Sequence, residues 1–156
     1  MMDRKFADLV ESLHDSYERM LAMPPCTPAS MPREMPDRGI YLLSEFDAHL
    51  YVGRTNNLRR RLQNHSRQSA SHNQATFAFR IAREETGSRK ASYRREGSRT
   101  ELQNDPVFGP AFVGAKSRIA AMSVRFVEED DPTRQALLEI YVATVLGTPF
   151  NDFENH

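Results

Sequence analysis

Residues 39–65, GIYLLSEFDAHLYVGRTNNLRRRLQNH, pack strand, turn, strand and helix into 27 residues, and that density leaves the chain few ways to fold. Ile40 to Leu43 is an apolar run, Glu45 to His49 a polar turn, and Leu50-Tyr51-Val52 a returning strand. Two short β-rich runs joined by a few polar residues predict a hairpin. Gly53 ends the second strand, and Thr55, Asn56 or Asn57 caps a helix carrying Leu58, Arg61, Leu62 and His65. Those four stand at i, i+3, i+4 and i+7 and share one stripe. Half of the stripe is apolar and half cationic or titratable, whereas a helix that only covered a hairpin would carry Leu or Ala at 61 and 65. Two readings fit. Either Tyr41, Tyr51, Arg61 and His65 converge on one face of a small sheet, or a Tyr-lined core edge lies beside a solvated basic helix.

The flanking chain supplies further elements. Residues 3–22 read as an amphipathic helix through Phe6, Leu9, Val10, Leu13, Tyr17, Met20 and Leu21. A tract with prolines at 24, 25, 28, 32 and 36 follows; it forbids helix and makes an extended connector. The first helix therefore docks onto the core from outside, or onto a second subunit in a homodimer. Residues 75–85 predict a helix stopped at Thr86-Gly87-Ser88, with a strand over Thr76 to Ile81 as the alternative, and Asn104-Asp105-Pro106 a helix start. Met122 to Val127 alternates apolar with polar, as a half-buried third strand does. Asp131 then caps a helix with Pro132 at its first position. The expected fold is α+β: a small, three-stranded, mostly antiparallel sheet flanked by helices. Residues 1–38 form an N-terminal helix and connector, and 39–156 the main domain.

Lys plus Arg and Asp plus Glu each total 21, so net charge is zero. Its distribution is not even. Residues 53–118 hold fourteen basic and five acidic side chains, against five and nine in 1–52 and two and seven in 119–156. Because potentials are local and screened within ~8 Å, a basic middle between acidic flanks can hold nucleic acid. Arg89, Lys90, Arg94, Arg95, Arg99, Lys116 and Arg118 concentrate that charge; such side chains grip DNA backbone with little regard to sequence, or they decorate a solvated helix pair. One cysteine, Cys26, excludes an internal disulfide, and no Cys or His pair has zinc-site spacing. No apolar run approaches the ~20 residues of a membrane span, and the N-terminus does not resemble a signal peptide. A cytoplasmic protein is expected.

The helix over 133–146 is the most apolar in the chain, yet it carries Glu139 between Ala136 and Ala143 at i−3 and i+4. A carboxylate partly removed from water is costly unless paired or bound to a cation. A hard divalent ion such as Mg²⁺ suits it, taking oxygen ligands from one or two carboxylates, substrate phosphate and water. The other reading pairs Glu139 with an arginine of the first helix.

At these residues the chain resembles the GIY-YIG nuclease superfamily. Gly39-Ile40-Tyr41 stands for the first motif and Tyr51-Val52-Gly53, with Val for Ile, for the second. The run Leu58 to His65 is similar to the family's helix with a catalytic arginine and often a histidine one turn later. The resemblance continues to Glu139, where the family places its metal-binding glutamate, and to Asn151, its terminal structural asparagine. It implies a metal-dependent DNA endonuclease with one Mg²⁺ or Mn²⁺ per site. By resemblance, Tyr41 or His65 is the general base, Arg61 binds phosphate, Tyr51 positions water or phosphate, and Glu139 holds the metal. Gly39, Gly53 and Asn151 would be structural at the site. Arg54, in place of the family's usual Lys or Ser, is a phosphate-contact candidate, and Arg59 and Arg60 face DNA or solvent. Residues 74–118 have no counterpart in a minimal domain of the family and read as a helical insertion. The Arg61–His65 and Glu139–Asn151 spacings look like the restriction branch, which implies restriction or phage defence. Structure-selective repair and a catalytically inactive DNA-binding module are the alternatives.

Overall fold

The structure, a computed structural model, describes residues 1–87 and 105–154. Arg89, Lys90, Arg94, Arg95 and Arg99 lie outside the described residues. Five helices and one sheet are described: α1 (Arg4–Ala22), β1 (Gly39–Glu45), β2 (Ala48–Thr55), α2 (Leu58–Ser66), α3 (Thr76–Thr86), α4 (Phe108–Ala120), β3 (Ser123–Glu128) and α5 (Pro132–Leu146). The sheet is antiparallel throughout in the order β2-β1-β3. The fold is α+β, as the sequence predicts.

Period-two alternation on the strands sorts side chains between two cores. Tyr41, Leu43, Tyr51, Val124 and Phe126 face α2, α3 and α4, while Ile40, Leu42, Val52 and Val127 face α1 and α5. The hairpin is tighter than the sequence predicts: β2 already begins at Ala48, and a bulge sits between Leu43 and Ser44. Phe46 takes the turn with φ of 56°, a left-handed position that a bulky residue adopts only under constraint.

Helix α1 docks on its own chain, burying Leu13, Ser16 and Met20 against β3 and α5. Asp131 caps α5 by accepting from the Thr133 amide, with Pro132 in the first turn. Asp105 Oδ1 accepts from the amides of Val107 and Phe108 at the start of α4. The described parts of the 74–118 segment are no peripheral addition. Phe77, Phe79 and Ile81 from α3, with Phe108, Phe112 and Ile119 from α4, supply six of the seventeen described buried residues of the core on the tyrosine face, all four of its buried phenylalanines among them. Two cations of this segment are engaged internally. Lys116 is 3% exposed and donates to the carbonyls of Gln68 and Ala70, and Arg118 clasps Glu45 with two bonds of 2.6 and 2.8 Å.

Both outer edges of the sheet are met by other parts of the chain. On β3, Val124 exchanges backbone hydrogen bonds with Cys26 of the connector at 3.0 and 2.7 Å. On β2, Leu50 O accepts from the Phe150 amide. The Asn151 carboxamide also takes both Val52 groups, accepting from N–H at 2.9 Å and donating to C=O at 2.7 Å.

Candidate active site

Strand parity puts Tyr41 and Tyr51 on one face, and the stripe of α2 turns Arg61 and His65 onto them. Asn57 fixes where that helix starts, its side chain accepting from the Arg60 amide. The Tyr41 hydroxyl and His65 Nε2 are 2.7 Å apart, and the two tyrosine rings have centroids 6.2 Å apart. Arg61 lies beside both phenols and donates through Nη2 to Thr76 Oγ1 at 3.0 Å. Tyr51 stacks on Phe77, centroids 4.7 Å apart at 13°. The structure thus brings these four predicted residues together. It adds Thr76 and Phe77 of α3, which the sequence marks only as part of a secondary-structure element; their adjacency to the site is tertiary.

Close approach explains both motif glycines. A Cβ on Gly53 would stand 2.3 Å from the Tyr41 hydroxyl and 2.4 Å from its ring, and one on Gly39 would stand 2.1 Å from Val127 O. Neither position has room for any side chain. Asn151 acts from the far edge, gripping Val52 next to Tyr51 while its Oδ1 also accepts from Thr148.

His65 has no exposed surface and its Nδ1 has no partner. Its one polar contact is the Tyr41 hydroxyl, so any proton it exchanges passes through Tyr41. Burial first, and the Arg61 charge second, push its pKa from 6.5 down to about 3. Burial also raises the Tyr41 phenol well above its usual 10.0, with Tyr51 adding to the rise and Arg61 offsetting only part. Tyr51 is raised by burial too, against the pull of Arg61. The resting cluster is therefore two neutral phenols, one neutral imidazole and one guanidinium.

Glu139 sits on α5, whose Leu138 and Val142 pack on the opposite sheet face. It lies beside the Arg54 backbone and within electrostatic reach of Tyr41 and Tyr51. Burial raises its pKa, and the Arg54 charge offsets part of that. Among the described residues it forms no ion pair, and the cation it faces comes from β2 rather than from α1. A half-buried carboxylate without a salt-bridge partner fits a hard cation. Among the described residues no three or more His, Cys, Asp or Glu side chains are placed to hold one metal ion together, so an ion at Glu139 would have at most two such protein ligands and open positions for water and phosphate. Arg54 and Arg60 are exposed. Arg59 instead donates to the carbonyls of Pro32 and Arg33 and ties down the connector.

No helix among the described residues is long and apolar enough to cross a membrane. No curated protein and no solved structure gives a significant match to the chain. A family model described as the GIY-YIG catalytic domain matches residues 38–103.

Proposed function

From a chain that belongs to the GIY-YIG nuclease superfamily, we propose a metal-dependent DNA endonuclease that hydrolyses phosphodiester bonds at the Tyr41–His65–Arg61–Tyr51 cluster. The superfamily makes this a nuclease-type domain with DNA as the implied substrate. The observation that carries the finer reading is the pairing of that cluster with a partly buried, unpaired carboxylate across β2.

Arg61 binds the scissile phosphate, its planar fork matching two oxygens. Thr76 holds the guanidinium from behind. Tyr51, clamped on Phe77, positions the attacking water. Tyr41 takes a proton from that water while handing its own to His65 Nε2 along the 2.7 Å hydrogen bond. This exchange leaves Tyr41 neutral and avoids a buried phenolate, which its raised pKa makes costly. The phosphate charge entering beside Arg61 offsets the smaller of the two causes that depress His65, burial being the larger, and so raises the basicity of the imidazole when substrate is present. Glu139 would hold one Mg²⁺ or Mn²⁺, which when bound supplies charge neutralisation for the phosphate and the leaving oxygen. The spacing of Arg61 to His65 and of Glu139 to Asn151 supports a restriction or phage-defence role.

Supercoiled plasmid incubated with Mg²⁺, Mn²⁺ or EDTA tests this. Metal-dependent nicking or linearisation is expected, falling about 100-fold or more in Glu139→Gln and Tyr41→Phe. Discrete bands would support restriction and a smear a structure-selective or nonspecific enzyme. Equal cutting by folded variants, or DNA binding without any cleavage, would overturn the assignment.

A further inference from the structure

We infer that Arg80 is a second phosphate-binding residue of this site, holding a backbone phosphate next to the scissile one. The inference rests on DNA being the substrate, as proposed above. It begins with one face of α3. Thr76, Arg80 and Glu84 follow at four-residue steps and share a stripe with Phe77. The first turn of that stripe belongs to the site, since Thr76 holds Arg61 and Phe77 stacks on Tyr51.

One turn further on, Arg80 and Glu84 form a wall of a cleft of about 460 Å³. Pro149, Phe150, Asn151 and Asp152 face them. Two residues of this cleft adjoin the tyrosine cluster: Phe150 meets Phe77 edge to face at 5.3 Å, and Asn151 grips the residue after Tyr51. The Arg80 charge is felt at the Tyr51 phenol. A strand whose scissile phosphate lay on Arg61 would therefore run past Arg80.

Arg80 is also free to act. Arg59, Arg118, Arg125 and Arg134 are each bonded to a carbonyl or carboxylate. Arg80 is half-buried, yet it makes no hydrogen bond or ion pair among the described residues, not even with Glu84 one turn away. Glu84, Asp152 and Glu154 also line the cleft. Their charge repels a second phosphate, so the cleft takes one contact at Arg80 rather than a run of backbone.

Binding of a short fluorescein-labelled duplex, read by anisotropy over a salt series in the Glu139→Gln background, tests the idea. Arg80→Ala should weaken Kd roughly 3- to 10-fold and lower the log–log salt slope by about 1, while Arg80→Lys keeps the slope. With intact Glu139, Arg80→Ala should raise KM and leave kcat nearly unchanged. Unchanged melting of Arg80→Ala shows that the fold is kept. Identical Kd and salt slope for Arg80→Ala and its parent overturn this inference alone. Arg80-dependent binding without cleavage by the wild type supports it and overturns the nuclease reading, and absence of duplex binding overturns both.

Discussion

Acidification should destabilise this protein through His65. In the unfolded chain its imidazole has a pKa near 6.5, and in the fold burial and Arg61 hold it at about 3. The folded value is depressed, so the stability this confers is complete above 6.5 and drains away as pH falls towards 3. At pH 5 the unfolded chain binds the proton and the folded chain does not, a linkage loss of about 2 kcal/mol relative to pH 7.5. Other groups add to the pH dependence, among them His49, whose pKa is lowered by burial and Arg125. Subtracting the same pH series for His65→Asn removes them. Urea denaturation should show the wild type losing about 2 kcal/mol more than His65→Asn between pH 7.5 and 5. The His65 ring resonances should stay put over that interval. Parallel losses in the two proteins, or a ring that titrates near 6.5, would refute the reasoning.

Two further substitutions probe the same architecture. Gly53→Ala drives a methyl into a Tyr41 ring that is 1% exposed and cannot swing aside. It should destabilise by about 1–3 kcal/mol and lower single-turnover cleavage about 100-fold; full activity would contradict the packing argument. Glu139→Gln acts through a carboxyl whose folded pKa is raised, so its favourable contribution is complete below 4.5 and lost as pH rises. Without divalent ions, Glu139→Gln should therefore melt higher than the wild type at pH 7.5, with the gap closing by pH 4. A lower melting temperature at pH 7.5 would show that ionised Glu139 is stabilised by a partner.

The hairpin and α2 were legible because their information is local: alternation on the strands, and an i, i+3, i+4, i+7 stripe on the helix. The glycines were legible as motif letters but not as physics, since the atom that excludes a side chain at Gly39 belongs to Val127. How far the described parts of the 74–118 segment enter the core was not legible, for a compositional reason. Its apolar residues are few, but Phe77, Phe79, Phe108 and Phe112 are large and converge from two helices into the main core. Charge misled in the same way at Lys116, whose ammonium is bound by loop carbonyls. Nothing in the sequence marked Arg80, because the cleft it lines is made with the chain's last described residues.

The treatment of the sheet edges bears on how the protein behaves at high concentration. A three-stranded sheet has two borders, and unpaired backbone there invites another chain to add a strand. Cys26 occupies the β3 border, while Phe150 and the Asn151 carboxamide occupy that of β2. Strand addition at either border must first displace an internal partner. Self-association by sheet extension is thereby discouraged, even though α5 leaves the apolar side chains of Ile140 and Val145 exposed.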